Sequence, residues 1–136
     1  MGLDATNTRL VWRRAEGRCE YCRTPQQADD VAFHIDPVIA RKHGGPTTVD
    51  NLCLRCFHCN LAKGTDIATL APRSRKLTPL FNPRRQDWSR QFRWEGADLT
   101  RPTPIGAANV VLLRINDPLS VLLREALIAE GVFPPS

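Results

Sequence analysis

Five cysteines stand in this chain, and four of them fall into two C-x2-C knuckles, Cys19/Cys22 and Cys56/Cys59. A tight turn between two such cysteines points both sulfurs the same way, and two turns together supply the four thiolates of a tetrahedral zinc site. One knuckle alone would serve redox chemistry equally well; the second pair favours a metal. Cys22 and Cys56 are separated by 33 residues, longer than in a simple zinc ribbon but suited to a clip closed around an inserted motif. A structural zinc there contributes on the order of 10 kcal/mol to folding, decisive for a small domain. Cys53 also forms a C-x2-C pair with Cys56. It lies in the apolar run Leu52-Cys53-Leu54, which reads as a buried strand in which cysteine serves as a small hydrophobe. Cys53 is therefore assigned to the core, and Cys19, Cys22, Cys56 and Cys59 to the ion.

Between and beside the knuckles lie Asp36, Asn51, Asn60 and Lys63, residue types that suit a hard divalent cation and a phosphate. The elements that must carry them read as follows. Val31 to Ile35 and Val38 to Ala40 are β-prone around Asp36-Pro37, and strand alternation puts His34 and Asp36 on one side. Arg41 to Pro46, with two glycines and a proline, is a loop that Asp50-Asn51 closes. Leu52 to Leu54 is the second strand, and Asn60 to Lys63 starts a short helix. Strand, loop, strand, helix is the order implied. Upstream, Thr6 to Glu16 reads as a helix capped by Thr6 or Asn7 and stopped by Gly17, with Leu10, Val11, Arg14 and Ala15 on one face.

The 136 residues are 42% hydrophobic and 24% charged, an ordinary globular composition with room for one modest core. The expected organisation is a single domain over residues 1–136, with a core at 17–66 and a tail at 72–136. Nineteen Lys+Arg against 14 Asp+Glu give a net charge of +5, which favours polyanionic partners without deciding for nucleic acid. No apolar run is long enough to span a membrane. The N-terminus has no signal-peptide pattern, and Gly2 has no accompanying lipidation signal. With an odd number of cysteines, this points to thiolate ligation in a reducing, cytoplasmic setting rather than to disulfides.

Taken in order, Asp36, Gly44-Gly45, Asn51-Leu52, Cys56-x-x-Cys59-Asn60 and Lys63-Gly64 resemble the motif of HNH endonucleases. That motif runs D/E-H-I, P-x-x-x-G-G, N-L and C-x-x-C-N-x-x-K-G. A subgroup of bacterial HNH proteins also continues with segments similar to Pro79 to Arg84 and Trp88 to Phe92. The resemblance implies a ββα-metal (His-Me finger) core and metal-dependent hydrolysis of DNA phosphodiester bonds. It implies that Asp36 and Asn60 hold a catalytic divalent ion, Mg2+ or similar, and that Asn51 ties down the loop. Lys63 then contacts a phosphate, with Arg41, Lys42, Arg84 and Arg85 as further nucleic-acid contacts. The general-base histidine of the family directly follows the aspartate. Here that position is Pro37, which has no nitrogen base, and losing a general base typically costs about 10²–10⁴ in rate. His34, on the Asp36 side, is the remaining candidate for a displaced base, an ion ligand or a supporting role. A DNA-binding module that keeps the fold and the zinc but does not cut is the alternative. A zinc-stabilised protein-interaction domain is a weaker third reading.

The second half offers less chemistry. Arg73, Arg75, Lys76, Arg84 and Arg85 could meet phosphates, while Trp88, Phe92 and Trp94 are expected to pack rather than to stack on bases. Ala107 to Ile115 reads as a buried strand. Asp117 then caps a helix with Pro118 at its first position, and Leu119, Leu122, Leu123, Ala126 and Leu127 line its inner face until Gly131. The fold class expected is α+β: a ββα core clipped by four cysteines, an N-terminal helix, and a C-terminal strand-helix tail.

Overall fold

The computed structural model describes residues 3–135; Gly2 lies outside them. The fold is mixed α+β, with five α-helices and three two-stranded antiparallel sheets among the described residues. It divides into two compact units, Met1–Ile67 with Asn82–Arg85, and Ala68–Phe81 with Gln86–Ser136.

In the first unit, helix α1 (Ala5–Arg14) starts slightly earlier than expected, because the Asp4 carboxylate rather than Thr6 or Asn7 forms the cap, accepting from the Asn7 N–H at 2.8 Å. Its end comes earlier than the expected stop at Gly17: Ala15 is the C-cap, Glu16 takes the left-handed position that follows with φ +56°, and Gly17, also at positive φ, donates to the Trp12 carbonyl at 3.1 Å. Val11 and Ala15 are buried as expected, whereas Leu10 is exposed. Arg14 reaches from this helix to the carbonyls of Val49 and Leu52, fixing α1 against the start of the next strand.

Strand β1 (His34–Pro37) pairs antiparallel with β2 (Leu52–Arg55), with His34 opposite Arg55 and Asp36 opposite Cys53. Residues opposite one another share a face, so His34, Asp36, Cys53 and Arg55 project to one side of the hairpin. All four residues of β2 are buried, as a strand covered on both faces must be. Cys53 is fully buried and its thiol, 3.9 Å from the Tyr21 hydroxyl, is pushed up to about 11 by burial; it is the core thiol the sequence implied. Helix α2 (Phe57–Lys63) follows, starting three residues before Asn60, with Cys56 as its N-cap.

The second unit holds the hairpins β3 (Ala68–Leu70) with β4 (Leu77–Pro79) and β5 (Arg93–Glu95) with β6 (Asp98–Thr100), and helices α3 (Trp88–Gln91), α4 (Pro104–Leu112) and α5 (Pro118–Ala129). The strand expected over Ala107 to Ile115 is a correction: most of it is helix α4. Thr103 caps that helix, accepting from the Gly106 N–H at 3.0 Å, and Pro104 occupies the first turn. A mostly apolar run, broken only by Asn109 and Arg114, has little periodicity to separate strand from buried helix, and the Thr-Pro start decides it. Helix α5 begins at Asp117-Pro118 as expected, but its face is also corrected. Leu119 and Leu122 are 79% and 63% exposed, while Arg124 is 1% exposed. Arg124 donates to the carbonyls of Ala97 and Ile115 and lies over the Trp94 ring; with its donors so occupied, arginine takes the inner stripe that leucines were expected to fill. Trp88, Phe92 and Trp94 pack on one another and on Phe81 and Phe133. No helix among the described residues is long and apolar enough to cross a membrane.

Candidate functional site

Two sites are built on the β1–β2–α2 unit. The first is the cysteine cluster. The Sγ atoms of Cys19, Cys22, Cys56 and Cys59 all lie within 4.8 Å of one another, and all four residues are buried. Zn–S bonds of about 2.3 Å set the edge of a tetrahedron at about 3.8 Å, and the Cys22 and Cys56 sulfurs are 3.8 Å apart. The charge balance asks for a cation as well. Hydrogen bonds from Cys19, Cys56 and Cys59 pull the Cys22 thiol well down, while the same set of contacts pushes Cys59 up. Four thiols packed this closely cannot all ionise without a compensating positive charge, which a bound cation would supply. The residues fit a four-sulfur metal.

The knuckles are brought together by Glu20, inside the first one. Its backbone N–H donates to the Leu54 carbonyl, and its carboxylate accepts from the Leu54 N–H, both at 2.9 Å. The other carboxylate oxygen pairs with Arg84. Glu20 therefore staples the first knuckle to β2, directly before the second. Its position between two cysteines is the sequence signal for that role.

The second site is an open cavity of about 400 Å³ lined by Asp36, Pro37, Ala40, Arg41, Lys42, Arg55, Asn60, Gly64 and Thr65. Asp36 comes from β1, Asn60 from the first turns of α2, and Arg41 and Lys42 from the 3₁₀ turn Arg41–His43. The loop between the strands is held by Asn51. Its side-chain oxygen accepts from the Ile39 N–H at 3.1 Å, and its amide donates to the carbonyls of Ile39 and Pro46 at 3.0 and 2.8 Å. Gly45 packs so closely here that a Cβ would sit 1.7 Å from the Ile39 carbonyl oxygen, so no other residue fits without moving the loop.

Residues 19–66 match the HNH endonuclease family. The matched HNH segment holds both knuckles and every residue lining the cavity; no curated protein and no solved structure matches the chain.

Within the HNH segment, the structure brings Asp36, Asn60, Arg41 and Lys42 to one cavity, with Pro37 in its wall. His34 is exposed on the Asp36 face of the hairpin, outside the cavity lining. Lys63, expected at a phosphate, is instead 1% exposed and donates to the Val38 carbonyl at 2.9 Å. It lies in the last turn of α2, and its stem reaches inward to β1's continuation. Arg84, likewise expected at phosphate, is held by Glu20, whereas Arg85 is exposed. The residue that went unread is Arg55. It is 2% exposed, borders the cavity, and donates from Nη2 to the Pro37 carbonyl at 2.8 Å. A cation closing the otherwise apolar run Leu52-Cys53-Leu54 was the signal.

For a divalent ion the cavity offers one carboxylate and one side-chain amide, an oxygen donor set. Mg2+ is commonly held by one or two carboxylates together with substrate phosphate oxygens and water. Asp36 and Asn60 fit that pattern with a phosphate present.

Proposed function

We propose that the unit adopts the ββα-metal architecture, holds zinc at Cys19, Cys22, Cys56 and Cys59, and presents the Asp36 cavity to a DNA phosphodiester. The chain is then a DNA endonuclease of HNH type, blunted because Pro37 stands at the base position. The observation that carries this reading is the convergence of Asp36, Asn60, Arg41 and Lys42 on one open cavity, apart from the closed cysteine cluster.

Held by Asp36 and Asn60, a divalent cation such as Mg2+ would supply charge stabilisation of the phosphate and of the leaving oxygen. The chain's own residues do the rest. Arg41 and Lys42 are exposed at the cavity rim and draw in the DNA backbone; Arg85 extends the positive surface of the same unit. Asn51 keeps the loop that carries Arg41 and Lys42 in register with the strands. Pro37 offers a carbonyl that already accepts from Arg55 and no group to take a proton from water.

That same Pro37 supports the second reading, a DNA-binding module that retains the fold and does not cut. One experiment separates the two: nicking of supercoiled plasmid by the parent and by Pro37→His, with Mg2+ and with a chelator, zinc content being checked in each sample. Mg2+-dependent nicking by Pro37→His supports the nuclease reading. DNA binding with no nicking by either protein supports the module, and absence of DNA binding overturns both.

A further inference from the structure

Arg55 has no role in the site so far described, yet it is the most deeply buried cation bordering the cavity. Its Nη2 is committed to the Pro37 carbonyl, while Nε and Nη1 are buried with no hydrogen-bond partner. Unmet donors on a buried charged group are among the costliest to leave in a folded protein, and each asks for an explanation. The cavity lining carries three cations, Arg41, Lys42 and Arg55, against the single carboxylate of Asp36. Lys63 is buried beside Arg55 and adds to the positive field. A cavity of that charge suits an anion before it suits a cation.

We propose that Arg55 is a phosphate-positioning residue built into the cavity, through which the site takes an anionic phosphate group without a divalent ion. A guanidinium is the side chain suited to this, being permanently charged, planar and able to give two parallel N–H bonds to phosphate oxygens. The Pro37 carbonyl fixes one arm of the fork, and Nε and Nη1, closed off from solvent, keep donor capacity that a phosphate meets once the side chain turns that edge towards the cavity it borders. On the β1–β2 hairpin Arg55 is the diagonal neighbour of Asp36 on the same face, so a phosphate held there lies where Asp36 can meet it. The proposal rests on the reading of the cavity as a phosphodiester site, and it goes beyond that reading by making phosphate capture independent of the metal.

The test uses the full chain with its cysteine-bound metal, a short DNA duplex, and buffer freed of Mg2+ by chelating resin rather than by soluble chelator. The parent is expected to bind the duplex within about twofold as tightly without Mg2+ as with it. Arg55→Met is expected to lose about tenfold or more in Mg2+-free buffer, the typical loss for a hydrogen bond to a charged group, with much of it recovered by Mg2+. Arg85→Met, away from the cavity, is expected to lose less and to show no new Mg2+ dependence. A folded, metal-loaded Arg55→Met that binds as tightly as the parent without Mg2+ overturns the proposal. If Arg55→Met does not fold, the parent decides: inorganic phosphate should shift the Arg55 Nε–H resonance in a saturable way, and an unmoved resonance overturns the inference. If the parent binds no DNA but shows that shift, the DNA reading falls and the phosphate site stands.

Discussion

Cys59 and Asn60 are adjacent on helix α2, yet they serve sites of opposite character. Cys59 is fully buried and joins a closed cluster of four sulfurs; Asn60 is half-buried and lines an open cavity with Asp36. In the first site soft ligands make up a whole coordination sphere and no position is left for a substrate, which is the pattern of a structural metal. In the second, hard oxygen donors are few and cations outnumber carboxylates around an open cavity, so an ion there would need a bound group to complete its coordination. On the function proposed above, the first site would hold the unit together and the second would meet the substrate, so each should be breakable without the other.

The largest effect is expected at the closed site. Cys59→Ser leaves three thiols, and even part of the roughly 10 kcal/mol that a complete structural zinc site supplies is comparable to the whole stability of a domain. Metal analysis should fall from one zinc per chain to none, with the helical circular dichroism of the α1–α2 unit lost. Cys53→Ala, in the same strand but outside the cluster, should keep its zinc. A folded, metal-free Cys59→Ser would show that the cluster is not what holds the unit together.

At the open site the expected change is chemical. Pro37→His should raise plasmid nicking by about 10²–10⁴, the usual worth of a positioned general base. The gain should vanish on adding Asp36→Ala, which removes the carboxylate bordering the cavity, while zinc content stays at one per chain. If the parent itself nicks briskly, His34 on the same hairpin face is the first candidate for the base, and His34→Ala decides.

The two sites were unequally legible. The cysteine cluster could be read from spacing because a metal leaves few geometric choices, and the role of Asn51 followed from its place in the HNH-like order. Lys63, Arg84 and Arg55 could not be sorted the same way, since a basic residue looks alike in sequence whether its charge meets solvent, a carbonyl or Glu20. Only burial separates them: Lys63 and Arg55 are 1% and 2% exposed. The same limit holds in the two helices further on. The α4 run carries no period to choose helix over strand, and in α5 the leucine pattern does not show that Arg124 finds carbonyl partners inside.

A smaller loss is expected at the loop between the sites. Asn51→Ala removes three hydrogen bonds and leaves the Ile39 N–H and the carbonyls of Ile39 and Pro46 without those partners. About 2–4 kcal/mol of stability should go, read as a lower urea midpoint with zinc retained. In the Pro37→His background the same change should blunt the gain in nicking, because the loop no longer sets the cavity rim. Unchanged stability would mean that Gly44-Gly45 and the strands hold the loop by themselves.

The smallest effect is electrostatic and concerns Lys63. Burial, and then the charge of Arg55, push its amine down from 10.5 to about 8. A lysine whose folded pKa lies below its unfolded one opposes folding while protonated. That cost is fully present below about pH 8 and is relieved as pH rises towards 10.5, because there the unfolded chain binds the extra proton. Stability of the parent should therefore rise relative to Lys63→Met between pH 8 and pH 10, by about 1–2 kcal/mol once relaxation and water penetration are allowed for. Urea midpoints of both proteins at the two pH values measure it, and titrations shared by the pair and not coupled to Lys63, such as that of Tyr21, cancel in the comparison. Parallel pH profiles would mean that Lys63 keeps an ordinary amine in the folded state, and the positive field around Arg55 would then be weaker than the burial of both cations implies.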